Sequence, residues 1–185
     1  VIAKAFKIEY ENPLPFKTIE GLEYLKGVRI IDQTPIGKSP RSNPVTYIKA
    51  FDPIRKLFAE QAQAKTLGYG PGHFSFNTEG GRCEICKGEG FQKFEMYFFE
   101  DLYIKCEECG GKRYKQEVLN IVYKGKNIHE VLELTVDEAI ELFSYTSSLT
   151  KRLKLMSSVG LGYLKLGQPA TTLSGGEAQR LKICS

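Results

Sequence analysis

The chain has 185 residues, 42% of them hydrophobic, with 26 Lys and Arg against 22 Asp and Glu, five Cys and no Trp. Such a content builds one or two compact units with apolar cores. No apolar run approaches the roughly 20 residues of a membrane span, and the N-terminus lacks a secretory pattern, so a membrane role is excluded and the chain is read as cytoplasmic.

The formal charge of +4 is unevenly placed, at net +5 over residues 26–56, −4 over 116–143 and +5 over 144–185. Two basic blocks suit anionic partners, nucleic-acid phosphate or nucleotide, and are equally compatible with a solvated basic surface.

In chain order, Val28 to Ile31 predicts a short strand, and Asp32 to Pro44 a loop that Pro35, Pro40 and Pro44 keep out of helix. Asp52-Pro53 predicts a cap followed by proline at the first helical position, with Ile54, Leu57 and Phe58 on one apolar face. Residues 68–82 are Gly-rich and read as loop. Val118 to Tyr123 alternates as a strand, turns through Lys124-Gly125-Lys126 and leads to a helix from about Ile128. Thr135-x-x-Glu138 is a capping box for a helix running through Phe143, and Ser148 to Val159 is a further helix closed by Gly160 and Gly162.

The cysteines carry chemistry. Cys83-x2-Cys86 and Cys106-x2-Cys109 lie nineteen residues apart, the spacing of a four-thiolate zinc site in which each knuckle offers two sulfurs. Between them the aromatic-rich run Phe91 to Phe99 and the extended Leu102 to Ile104 predict a β-hairpin clamped at its base by metal. Cys184 is isolated and reads as a small apolar residue, not a ligand.

Two segments imitate ATPase motifs. Asp32 to Ser39 ends like a phosphate loop, but Asp32 replaces its first glycine and the prolines remove both an N–H donor and the helix that should follow. Leu132 to Glu138 imitates an apolar strand ending in Asp-Glu, but Glu133 interrupts it and the Thr135 box assigns Asp137 and Glu138 to a first helical turn.

A third motif stands. In Leu173-Ser174-Gly175-Gly176-Glu177-Ala178-Gln179-Arg180, Ser174 and Glu177 form a capping box, and Gly175 and Gly176 leave N–H groups uncovered for phosphate. The run resembles the signature motif of ABC ATPases, which presses on the nucleotide of an opposite domain.

Beside it stand Ile31 to Pro44 (I-D-Q-T-P-I-G-K-S-P-R-S-N-P), Phe74-Ser75-Phe76-Asn77, Gly80-Gly81-Arg82-Cys83-Glu84-x-Cys86, Tyr123 to Ile128, and Gly160 to Tyr163 running into Leu166 to Thr172. Together these resemble the UvrA family, the damage-recognition ATPases of the bacterial excinuclease in nucleotide excision repair, over nearly the whole chain from about Ile19. The resemblance implies an α+β fold, namely a partial ABC-ATPase nucleotide-binding domain with an inserted helical signature subdomain that bears a zinc-clamped β-hairpin. It divides the chain into a partial ATP-binding segment with a glutamine loop (residues 1–45), a signature subdomain (46–172) with its zinc module at 83–109, and the signature motif with its helix (173–185). The phosphate loop and magnesium-binding strand are expected outside the chain, upstream of Val1 and downstream of Ser185. Further implications are ATP and magnesium as cofactors of the intact protein beside zinc, Gln33 as the catalytic glutamine, and Ser174, Gly175, Gly176 and Glu177 as nucleotide-binding. Cys83, Cys86, Cys106 and Cys109 are the metal ligands, and Lys38 and Arg41 the DNA contacts. The partners implied are double-stranded DNA, a second copy in a homodimer and a UvrB-type protein.

Residues 82–115 hold seven basic and seven acidic residues, so the zinc hairpin is no electrostatic clamp by itself. It is expected to act by shape, with Lys87 and Lys93 as contributors, or to be purely structural. Two alternatives share features of the sequence: a UvrA-like paralogue in drug resistance, and a DnaJ-like zinc module that binds unfolded protein.

Overall fold

A computed structural model describes residues 2–8, 15, 17–32, 34–37, 39, 41–96 and 98–184. Gln33 and Lys38 lie outside the described residues. The chain forms two compact units, residues 1–33 and 34–185. In the first, helix α1 spans Ile2–Ala5, and a 3-10 turn follows at Leu22–Tyr24. The strand expected at Val28 to Ile31 is not formed among the described residues.

The second unit opens with α2 (Pro44–Tyr47), where the buried Asn43 side chain accepts the Thr46 N–H at 2.9 Å. Pro44 therefore starts a helix that it was expected to prevent; at the first helical position its missing N–H is no loss. Helix α3 (Phe51–Ala59) begins ahead of the Asp52-Pro53 pair, with Ala50 at the cap. Proline is tolerated in this first turn because those N–H groups have no intrahelical partner. Phe51, Ile54 and Phe58 form its buried face. After α4 (Ala62–Thr66) the glycine-rich segment contains a 3-10 turn, Pro71–Phe74, and delivers Phe74 and Phe76 into the core.

Strands β1 (Phe91–Phe94) and β2 (Leu102–Lys105) form the expected hairpin, antiparallel, with Phe91 opposite Lys105 and Phe94 opposite Leu102. Val118 to Tyr123 is not one strand. Val118 and Leu119 belong to helix α5 (Gln116–Leu119), and only Val122–Tyr123 (β3) pairs, with Lys126–Asn127 (β4). The buried positions here are 118, 119 and 121, which fit one side of a helical turn and not the alternation of a sheet face.

Helices α6 (Ile128–Glu133), α7 (Val136–Leu142) and α8 (Ser147–Met156) follow. The first two begin with capping boxes, Asn127 with Glu130 and Thr135 with Glu138. The second box is the one read from the sequence; Asp137 lies in its first turn and accepts the Ser157 hydroxyl at 2.7 Å, so no catalytic strand forms there. After α8 the chain continues in a wider helical turn, Ser157–Leu161, until Gly160 breaks it at a φ of 77°. Helix α9 (Gly175–Ile183) ends the described chain.

One core joins these pieces. Its rings run from Phe143 to Tyr123 to Phe58 to Phe74, at centroid separations of 5.7, 6.2 and 5.4 Å. A second series, Phe51 to Phe76 to Tyr114, reaches toward the cysteines at 5.3 and 6.3 Å. The buried Tyr114 hydroxyl donates to the Phe74 carbonyl at 3.0 Å, satisfying the one polar atom that the ring carries inside. The architecture is mixed helix and sheet, with two small antiparallel sheets among the described residues.

Candidate metal centre and signature helix

The four cysteines expected as ligands meet. Cys83, Cys86, Cys106 and Cys109 are all buried, unoxidised, and placed with their sulfurs within 4.8 Å of one another. Two of the Sγ···Sγ separations are 3.9 Å (Cys83 to Cys106) and 3.7 Å (Cys86 to Cys109). Four sulfurs about 2.3 Å from a tetrahedral ion stand about 3.8 Å apart, the separation that these two pairs have, so the donor set fits zinc. A disulfide needs sulfurs about 2.05 Å apart and is not formed. Without metal, burial pushes the Cys109 thiol up to about 12 and raises Cys83 as well. Cys106 is buried too, but the Cys109 backbone N–H and neighbouring thiols hold it below its usual value.

The backbone around the cluster is paired on both sides. The Cys83 N–H donates to the Arg113 carbonyl at 2.8 Å and the Lys115 N–H to the Gly81 carbonyl at 2.9 Å, while the Cys106 N–H donates to the Gly90 carbonyl at 2.9 Å. The hairpin leaves directly from the latter pairing. The Gly90 N–H also donates to Cys86 Sγ at 3.3 Å, a contact that favours the thiolate. Gly88 adopts a φ of 86°, and a Cβ there would lie 1.9 Å from the Phe76 carbonyl oxygen, so only glycine lets the knuckle rest on the core.

Beyond the cluster none of the hairpin's described residues, 91–96 and 98–105, is buried. Phe94, Met96, Phe98, Phe99 and Leu102 are exposed, Phe98 at 92%. Lys93, expected as a contributor to the hairpin's action, is bound to Asp101 at 2.8 Å and Glu95 at 3.2 Å.

The signature run takes the expected local form. Ser174 Oγ accepts the Glu177 N–H at 3.3 Å and donates to the Glu177 carboxylate at 2.8 Å, which also accepts the Ser174 N–H at 2.7 Å. The Tyr163 hydroxyl donates to the other oxygen of that carboxylate. These hydrogen bonds, Tyr163 foremost, hold the Glu177 carboxyl below its usual range. Ser174, Gly175 and Gly176 are exposed, and nothing stands within 4 Å of a Cβ built on either glycine. The helix start is open to a ligand.

The loop after residue 33 connects both features. Thr34 Oγ1 accepts from Lys182 Nζ of α9 at 2.9 Å, the Ser42 carbonyl accepts the Ala170 N–H at 2.7 Å, and Arg41 Nη2 pairs with Glu89 of the first knuckle at 3.2 Å. Arg41, expected at DNA, thus holds a carboxylate in this structure. The Arg41–Glu89 pair, the Tyr163 contact and the placement of Arg113 went unread in the sequence, since each depends on segments far apart in the chain. The Asn127-x-x-Glu130 box was legible as a second copy of the pattern seen at Thr135.

No family profile matches the chain. By sequence it is 54% identical over 184 residues to UvrABC system protein A of Listeria monocytogenes, covering 100% of this chain and 19% of that protein. The Aquifex aeolicus protein of the same name is 59% identical over 165 residues, and that of Thermus thermophilus 55% over 174. Their coverage is 89% and 94% of this chain and 18% of each relative. The chain belongs to the UvrA family. It spans about a fifth of the length of these relatives. Among solved structures, UvrA2 of Deinococcus radiodurans superposes with a TM-score of 0.80 at 54% identity, over 83% of this chain and 19% of that one. The likeness to UvrA thus extends through the cysteine knuckles and the signature run alike.

Proposed function

We propose that this chain is the signature-bearing segment of the second nucleotide-binding half of a UvrA-type ATPase that recognises DNA damage in nucleotide excision repair. The observation that carries the reading is the 54% identity across 184 residues, a span that includes both knuckles and the signature run. The partition into residues 1–45, 46–172 and 173–185 belongs to this proposal. So do the cytoplasmic setting, the homodimer and the UvrB-type partner; among the described residues no helix is long and apolar enough to cross a membrane. A DnaJ-like module is not favoured, because it would leave the signature segment without a role.

On this reading Cys83, Cys86, Cys106 and Cys109 hold zinc, whose contribution is structural, a crosslink between two knuckles. The cluster ties a hairpin that buries nothing to the core beneath Phe76 and Tyr114. Lys38 and Arg41 face duplex phosphate. To do so Arg41 exchanges Glu89 for a phosphate oxygen, a swap between two anions that costs little desolvation. Gln33 serves the magnesium and the attacking water of the intact protein.

At the signature, the uncovered N–H groups of Gly175 and Gly176 and the dipole of α9 favour an anion at the helix start. Ser174 donates to the γ-phosphate of a nucleotide held by the opposing domain. Its proton now points to Glu177, so donation requires exchange of that acceptor; Glu177 keeps its bonds from Tyr163 and from the Ser174 N–H. The test is an anisotropy titration of lesion-bearing and undamaged duplexes by the full-length protein with ATP. A preference for the lesion is expected. Equal affinity for both duplexes, unchanged by nucleotide, would remove the damage-recognition reading.

A further inference from the structure

Four thiolates around one Zn2+ carry a net charge of −2, and in a buried site that charge needs a counterpart. Of the cations nearby, Lys87, Lys105 and Lys112 are exposed, and three others are committed elsewhere. Arg82 bonds Glu79 at 3.1 Å and the Asn77 carbonyl at 3.3 Å, Lys115 pairs with Glu84 at 2.9 Å, and Arg41 pairs with Glu89. Arg113 is different. Its Nη1 is buried and makes no hydrogen bond among the described residues, a costly condition for a guanidinium.

The backbone places Arg113 against the cluster. It follows Cys109 by four residues, its carbonyl accepts the Cys83 N–H at 2.8 Å, and its φ of 74° is in the left-handed region, unusual for a residue with a Cβ. The side chain passes within 3.3 Å of where a Cβ on Gly90 would lie, and its guanidinium stacks over the Phe76 ring at 5.1 Å. Glu133, the carboxylate lining the same recess, is ion-paired to Lys165 at 2.9 Å. Burial pulls the guanidinium below its ordinary value.

We infer that Arg113 is the half-buried counter-charge of the metal-loaded cluster, a positioning residue that stabilises the dianionic zinc–tetrathiolate and slows release of the ion. Phe76 fixes the guanidinium on one side, and the thiolates supply the negative charge that the metal-free chain lacks. A buried guanidinium nitrogen with no hydrogen bond among the described residues is thereby explained by a site that becomes anionic on loading. The inference rests on the zinc reading and adds to it a residue that is not a ligand.

The experiment uses the reduced, zinc-loaded 185-residue chain, mixed with excess chromogenic chelator to follow zinc release, for the unaltered chain, Arg113→Met and Arg113→Lys. Methionine keeps the apolar stem on Phe76 and removes the charge, whereas lysine keeps the charge. Loss of an outer-shell partner commonly costs 10–100-fold in metal affinity. Arg113→Met should therefore release zinc at least about 10-fold faster at unchanged stoichiometry, with Arg113→Lys within about twofold of the unaltered chain. Equal release by Met and unaltered chains would overturn the inference, as would Lys behaving like Met, which would assign Arg113 to shape alone. Melting of the metal-free chains separates packing from charge: a loss of stability in Arg113→Met that is the same with and without zinc also counts against it. Should the unaltered chain bind no zinc at all, the zinc reading itself fails, a result distinct from all of these.

Discussion

At the level of single residues, the cluster and the signature cap make opposite demands on protons. Replacing Cys83, Cys86, Cys106 or Cys109 by serine removes a quarter of a closed donor set, and bound zinc should fall from one per chain to near zero by elemental analysis. Cys184→Ser should leave it at one, because that thiol lies outside the cluster and contacts the carbonyls of Leu155 and Arg180. Ser174→Ala removes a capping oxygen and should lower stability by about 1 kcal/mol in denaturant melts. The Glu177 side of the box titrates. Its carboxyl is held below the ordinary 4.5, so the stability it adds is fully present above that value and is lost as pH falls below it, through the depressed folded value. Glu177→Gln should flatten that acid limb of the stability profile. A limb unchanged by the substitution would remove Glu177 from the account.

At the level of elements, the β1–β2 hairpin is the part most dependent on metal. Two strands whose described residues form no buried face are marginal in water on their own, and here the Lys93 ion pairs and the cluster support them. Chelation under reducing conditions should therefore raise amide exchange across residues 91–105 to nearly that of unfolded chain, while helices α3 and α6–α8, with their own aromatic core, keep their protection. Uniform loss across both regions would mean that the cluster is integral to the core. The elements that were legible in the sequence are those with a local cause. The Thr135 and Ser174 boxes lie within four residues, and the cysteine spacing specifies its own geometry. Where the cause is distant, the sequence was misread: Val118 to Tyr123 looks alternating until the core claims Val118, Leu119 and Ile121 together, and Val28 to Ile31 has strand-forming residues but forms no strand among the described residues. Pro44 misled because proline both blocks helix interiors and starts helices, and only the capping Asn43 decides between them.

At the level of the whole molecule, loop 34–43 meets the signature helix through Thr34, the segment before it through Ser42 and the zinc knuckle through Arg41. DNA and nucleotide would then act on one connected body. If Arg41 contacts phosphate in the intact protein, Arg41→Ala should weaken duplex binding for all sequences alike and lower the salt slope by about one. Glu89→Gln, which frees Arg41 from its carboxylate, should strengthen binding at low salt. An unchanged slope in Arg41→Ala would assign that residue to the knuckle interface alone.

Catalysis gives the last expectation at this scale. Hydrolysis requires a loop that cradles phosphate, a magnesium ligand and an aligned water. Asp32 to Ser39 has an acid where such a loop needs glycine, and its next helix starts only at Pro44; Asp137 and Glu138 lie in the first turn of α7. The 185-residue chain should accordingly show no ATP turnover above background in a phosphate-release assay with zinc, magnesium and DNA. In the full-length protein, a bulky residue at Gly176 would occupy the open space where the γ-phosphate must approach the helix start. It should reduce turnover by about 100-fold or more, the scale of losing one donor to developing charge, with nucleotide affinity changed far less because binding rests on the opposite domain's phosphate loop. Turnover by the chain alone would return Asp32 to Ser39 to consideration as a phosphate loop. Lost nucleotide affinity with turnover per bound nucleotide intact would place Gly176 in binding and not in the transition state.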